Sequence, residues 1–127
     1  MDLALWIAAG LLALVALTGG VSKVFVPAEK LAAAPGGEWT AAARPGFVRT
    51  LGAVELLAAA GLVLPALSGI APVLVPVTAA CWMLLMIGAM ITHVRHGSAN
   101  FAVLNLAYLA VAAFVAWGRF GPAAFTA

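Results

Sequence analysis

The chain has 127 residues, of which 66% are apolar and 8% charged, and its formal net charge is +2. A soluble domain needs about a quarter of its residues charged to cover its surface, so this composition excludes a water-soluble globular protein, and the mean hydropathy of +1.19 indicates a membrane protein. The few basic residues stand in short gaps between apolar runs and form no basic stripe, which argues against nucleic-acid binding.

Four apolar segments are each close to the ~20 residues that cross the ~30 Å hydrocarbon layer of a bilayer. They cover about residues 3–22, 47–64, 72–92 and 101–118. Because lipid offers the backbone no hydrogen bonds, each segment is predicted to be a helix. The sequence therefore predicts an all-α fold, an integral membrane bundle of four transmembrane helices that forms a single domain over residues 1–127.

The ends of these helices are marked by charges and prolines. Lys23 ends the first segment and Pro65 is predicted to stop the second, while Pro76 predicts a kink or a late start in the third. The first segment carries Asp2 instead of the basic start of a signal peptide, so we expect it to remain as a helix.

The connection from residue 23 to residue 46 is the only long one. Pro27, Pro35 and Pro45 interrupt it, and short helical turns at the membrane interface are expected between them. Trp39 suits that depth, because indole rings favour the headgroup region.

The distribution of Lys and Arg predicts the orientation in the membrane. Five cations share one side and Arg119 lies on the other; the five are Lys23, Lys30, Arg44, Arg49 and Arg95. The positive-inside rule then places both termini outside and both charged loops in the cytoplasm, in a multi-pass protein of a bacterial plasma (inner) membrane.

Glu55 is the most informative residue, since it lies about eight residues into the second helix, roughly 12 Å along the axis from Phe47. A carboxylate at that depth costs ~2.5–3.5 kcal/mol on insertion scales and should face the bundle interior. Gly52, Ala58 and Ala59 share its helical face, so a neighbouring helix can approach closely there.

Each of the other helices offers a polar residue to the same half of the membrane: Lys23, His93 and Asn105. We expect them to form a polar pocket with Glu55, with Arg49 at its rim. Two interpretations stay open: a site for a small molecule or a proton, and a structural hydrogen-bond network that sets the helix register.

Metal and thiol chemistry are not favoured. His93 and His96 are spaced i, i+3, and His93 shares a face with Met83, Met86 and Met90. A Met stripe at helical spacing is usually core, and no metal site is predicted. The single Cys81 cannot form a dithiol pair within one chain.

The chain resembles the DoxX-like family of small four-helix bacterial membrane proteins. The resemblance lies in Gly20-x-x-Lys23, in RTLGAVELLAAAGLVLP from Arg49 to Pro65, in THVRHG from Thr92 to Gly97, and in a polar residue early in the fourth helix. It implies a four-helix membrane fold, and it carries over Lys23, Arg49, Gly52, Glu55, His93 and Gly97 as motif residues. The family is named after a subunit associated with a thiosulfate:quinone oxidoreductase, and some relatives are linked to partner oxidoreductases.

Three functions follow as hypotheses. The first is an accessory membrane protein that binds a lipophilic, quinone-like molecule or docks a partner oxidoreductase, with Lys23, Arg49, Glu55, His93 and Asn105 as ligand-binding residues. The second is a membrane enzyme with Glu55 and His93 as catalytic residues, Glu55 serving as general acid or base on a lipophilic substrate. The third is a proton-coupled transporter component, which would require a homo-oligomer. The sequence identifies no cofactor.

Overall fold

A computed structural model describes residues 1–125, and over this range the protein is all-helical, with no strand. Its elements are α1 (Asp2–Phe25), α2 (Ala28–Ala33), a 3-10 turn (Glu38–Ala41), α3 (Pro45–Ser68), α4 (Leu74–Arg95) and α5 (Ala99–Phe120). Within the described range, four helices are long and apolar enough to cross a membrane, namely α1, α3, α4 and α5. The predicted all-α membrane bundle is confirmed, and the long connection contains the short helical turns expected of it.

The predicted stop at Pro65 is wrong, because α3 continues through Pro65 and ends at Ser68. A proline inside a helix removes one backbone hydrogen bond, a loss that membrane helices tolerate when neighbouring helices cover the site, and Pro65 is buried. The helix ends instead at Gly69, whose φ of 73° is the left-handed conformation that glycine adopts without strain. Pro76 lies in the first turn of α4, where a missing N–H costs no intrahelical bond.

The long helices pack as two pairs, α1 with α3 and α4 with α5, and each pair is in more extensive contact internally than with the other pair. The pairs meet at the end of the bundle that holds the N-terminus and the α3–α4 turn, which we call the terminal end. There, a Cβ on Gly118 would lie 2.6 Å from the Leu5 side chain, and a Cβ on Gly61 would lie 2.5 Å from Thr78 Oγ1. Small residues thus hold the pairs together at this end.

The terminal end also contains an ion pair between α1 and α5. Arg119 Nη1 lies 2.7 Å from Asp2 Oδ1 and donates a hydrogen bond to the Ala123 carbonyl at 3.0 Å. The Arg119 guanidinium lies 4.0 Å from the centre of the Phe125 ring, so a cation–π contact adds to the charge pairing. The start of α1 is therefore tied to the segment that follows α5.

The outside of the bundle is covered by large aliphatic side chains. Leu3, Leu57 and Leu84 are each more than 70% exposed, and many other apolar residues of the long helices are exposed as well. In water this surface would be unstable, whereas in a bilayer it contacts lipid.

Candidate functional site

A cavity of about 510 Å³ lies between the two helix pairs. It occupies the half of the bundle that holds the α1–α3 connection and the α4–α5 turn, which we call the loop end. All of the long helices line it, as do Trp39, Ala42 and Ala43 of the long connection. The cavity exists because the helix pairs make their close contacts at the terminal end and leave the loop end less tightly packed.

Lys23 of α1 and Glu55 of α3 form an ion pair in the wall of this cavity. The Lys23 Nζ lies 2.9 Å from Glu55 Oε2 and donates a hydrogen bond to Oε1 at 3.2 Å. The Glu55 side chain is 8% exposed and that of Lys23 is 19% exposed. Within residues 1–125 the Oε2 atom contacts the Lys23 ammonium but accepts no well-aligned hydrogen bond, so the carboxylate keeps acceptor capacity for another group.

Glycines bring these two side chains together. A Cβ on Gly20 would lie 2.8 Å from the Gly52 carbonyl oxygen, and a Cβ on Gly52 would lie 3.0 Å from the Gly20 oxygen, so the two backbones are in contact. A Cβ on Gly19 would lie 3.3 Å from Glu55 Oε2. The close approach expected at Gly52 is therefore present, and it places Glu55 against α1 one turn before Lys23.

His93 lines the cavity near the end of α4. Its ring is stacked on Phe101 of α5, with ring centres 5.6 Å apart and an angle of 28° between the planes. Its Nδ1 is buried and has no hydrogen-bond partner among the described residues. The Phe101 ring also contacts the long connection: Gly36, with φ of 81°, packs so closely on Phe101 that a Cβ would lie 2.7 Å from the ring.

Asn105 and Trp82 contribute further polar groups to the cavity lining. Asn105 is 8% exposed and Trp82 is 2% exposed. Each buries an N–H, Nδ2 of Asn105 and Nε1 of Trp82, that finds no acceptor in the part of the chain that the structure describes. Buried donors of this kind normally have a protein, water or ligand partner.

Of the residues singled out from the sequence, Lys23, Glu55, His93 and Asn105 line this one cavity. Arg49 is exposed on α3, and the part of α3 in the lining consists of Phe47, Leu51 and Glu55. Those three recur every four residues on one face, whereas Arg49 follows Phe47 by two residues and so points about 200° around the helix.

Four Phe, Tyr or Trp residues of the lining were not assigned to the pocket from the sequence: Trp39, Phe47, Trp82 and Tyr108. Tyr108 could have been found, because it follows Asn105 by one helical turn and so shares its face. Trp39 and Trp82 had no such signal, since an interfacial or a packing role fits an indole equally well. Among the described residues no three His, Cys, Asp or Glu side chains are grouped as metal ligands.

Fold and surface together define a class: a small multi-pass membrane protein built as a helical bundle, with a largely apolar cavity between its helix pairs that carries a few polar groups. The sequence profile of the DoxX-like family matches residues 7–115, which is most of the chain. The chain belongs to the DoxX-like family. No curated protein and no solved structure gives a match to it.

Proposed function

We propose that this protein binds a lipophilic small molecule, quinone-like in having an apolar body and oxygen acceptors, in the cavity around Glu55. The observation that carries the proposal is the convergence of the buried, incompletely hydrogen-bonded groups of Glu55, Trp82, His93 and Asn105 on one cavity. At about 510 Å³ the cavity has the size of small-molecule sites, which range over roughly 300–1,000 Å³.

The chemistry of the lining favours a ligand that carries hydrogen-bond acceptors. Asn105 Nδ2 and Trp82 Nε1 are donors without partners, and the Lys23 ammonium is shared only with Glu55 among residues 1–125. Carbonyl or hydroxyl oxygens of a ligand would satisfy these donors. Most of the remaining lining is apolar, for example Leu51, Leu85 and Met86, and suits a hydrocarbon body.

Titration with ubiquinone-1 of the purified protein in lipid nanodiscs tests the proposal. Trp39 and Trp82 line the cavity, so bound quinone should quench their fluorescence saturably. Replacing Asn105→Ala removes a donor and should weaken binding by about tenfold, the equivalent of one hydrogen bond. Asn100→Ala is the matched control, since Asn100 is exposed in the first turn of α5. Quenching that does not saturate, or equal affinities of the two variants, would contradict the proposal.

A second candidate function is an enzyme that uses Glu55 and His93 as acid and base on a lipophilic substrate. It is favoured by one observation, that both side chains line the same cavity. Nanodiscs made from a bacterial polar lipid extract with added ubiquinone-1 would be incubated with wild type and with Glu55→Gln. Mass spectrometry should find a converted species with wild type and none with the variant; identical spectra would rule this function out. Docking of a partner oxidoreductase rests on the family resemblance alone.

The proposed setting is a bacterial plasma membrane, with the protein acting as a single domain and both termini outside. The support is the charge distribution: Lys23, Lys30, Arg44, Arg49 and Arg95 all lie at the loop end, against Arg119 at the terminal end. In this orientation the cavity lies in the cytoplasmic half of the membrane.

A further inference from the structure

The cavity reaches the outer surface of the bundle between α3 and α4. Phe47 of α3 and Leu84 of α4 both line it, yet they are 58% and 72% exposed. Gly88, one turn after Leu84, also lines the cavity and is exposed. A residue that is exposed on the outside and also lines the cavity stands at an opening, so these three residues border a lateral opening.

The depth of this opening places it in hydrocarbon. Gly88 and Leu84 lie seven and eleven residues before Arg95, the last residue of α4, or roughly 10 and 16 Å along the axis. The close contact between α3 and α4, at Gly61 and Thr78, is in the other half of the bundle. Lipid chains, and molecules dissolved among them, are therefore what meets the cavity at this opening.

We infer that the ligand of this cavity is a molecule dissolved in the bilayer that enters sideways between α3 and α4. Its polar end passes Leu84 toward Asn105 and Glu55, and its apolar end remains near Phe47, Leu84 and the lipid. The inference rests on the proposed binding function and narrows the ligand to a membrane-resident amphiphile. A water-borne molecule would instead enter at the loop end, past Thr92 and His96, which line the cavity there.

Gly88 offers a way to block the opening. No atom lies within 4 Å of a Cβ built on Gly88, so a larger side chain fits without displacing the backbone. Gly10 of α1 also has nothing within 4 Å and lies outside the cavity lining. Gly88→Leu and Gly10→Leu therefore form a matched pair that differs only in position relative to the opening.

The experiment is stopped-flow quenching of tryptophan fluorescence by decylubiquinone in nanodiscs. Gly88→Leu should slow association and dissociation by about tenfold each, leaving the dissociation constant within about threefold, because the substitution obstructs the route and not the bound state. Gly10→Leu should behave as wild type. Leu84→Ala, a truncation of an exposed side chain that leaves folding intact, should accelerate both rates.

The outcomes distinguish a failure of lateral entry from a failure of the binding function. If wild type binds decylubiquinone but Gly88→Leu and Leu84→Ala leave both rates unchanged, lateral entry is wrong and the binding function stands. If wild-type association follows the aqueous quinone concentration at varying lipid content, instead of the quinone-to-lipid ratio, lateral entry is also overturned. Absence of saturable binding to wild type overturns the binding function and the entry route with it.

Discussion

The pairing of Lys23 with Glu55 explains how a carboxylate can lie in the membrane-spanning part of α3. Insertion of a lone charge near a helix centre costs a few kcal/mol, and that cost falls when an opposite charge and hydrogen bonds satisfy it. Lys23 reaches Glu55 from the last turn of α1, with an Nζ–Oε2 distance of 2.9 Å. The long, flexible lysine stem lets the ammonium reach inward from the end of α1 to the carboxylate, which lies against Gly19 one turn deeper.

Breaking this pair should be costly. Lys23→Met leaves a buried carboxylate without its ammonium partner, and we expect the free energy of unfolding in detergent to fall by about 3 kcal/mol. The double variant Lys23→Met/Glu55→Gln removes both charges and should recover more than half of that loss. The measurement is denaturant unfolding followed by circular dichroism. Lys30→Met is the control, because Lys30 is exposed in α2; a Lys23→Met variant no less stable than this control would argue against a stabilising pair.

At the scale of elements, the crossing of α1 and α3 positions the candidate site. Gly20 and Gly52 face each other's carbonyl oxygens, and Leu56 fills the space beside Gly20. The close approach lets short stretches of both helices share van der Waals contact, which is the main attraction between helices in lipid. Gly19 then leaves room for the Glu55 carboxylate against α1.

Gly52→Ala should separate these helices. The added Cβ would lie 2.7 Å from Lys23 Cβ and 3.0 Å from the Gly20 oxygen, and backbone cannot yield as a flexible side chain does. We expect a loss of about 1–3 kcal/mol in unfolding free energy, together with weaker ubiquinone-1 binding because the Lys23–Glu55 wall moves. Gly10→Ala should be neutral or stabilising by up to about 1 kcal/mol, since alanine favours helix and no atom lies nearby. Equal stability of the two variants would show that the crossing tolerates a methyl group.

For the whole molecule, the arrangement as two pairs accounts for the cavity. The pairs are held together at the terminal end by Leu5 against Gly118, by Gly61 against Thr78, and by Arg119 with Asp2. At the loop end the long connection lies over the space between them, with Trp39 in the cavity wall and Gly36 against Phe101. The terminal half of the bundle is thus closely packed, whereas the loop half contains the cavity and its opening.

The orientation of the whole bundle can be tested by labelling. In a Cys81→Ala background, Ala33→Cys places a thiol in the long connection and Ser68→Cys places one at the terminal end; both positions are exposed. A membrane-impermeant maleimide applied to intact cells should label Ser68→Cys, and it should label Ala33→Cys only after permeabilisation, because the positive-inside rule predicts that the five cations of the loop end keep it in the cytoplasm. The reverse pattern would refute the orientation.

The sequence by itself determined the class of fold and the residue on which the candidate site is built. Hydropathy and segment length are properties of the local sequence, and few backbone conformations satisfy their own hydrogen bonds in lipid. The bounds of the membrane helices could therefore be predicted to within a few residues. Glu55 could be identified because a charge in an apolar helix is rare, and one helical turn of spacing related it to Gly52. Local rules predicted that Pro65 ends the helix, and this prediction is wrong. Neighbouring helices cover Pro65, so the loss of one backbone hydrogen bond is tolerated there and α3 continues.

Only the tertiary structure decided what surrounds Glu55. That α1 pairs with α3 and α4 with α5 depends on contacts between residues far apart in the chain, such as Gly20 with Gly52, which no periodicity reveals. The same packing brings Trp82 and Trp39 to the cavity, turns Arg49 away from it, and leaves the opening at Gly88. The depth of a residue in the membrane follows from its position along one helix, whereas its neighbours depend on how the helices rotate and cross.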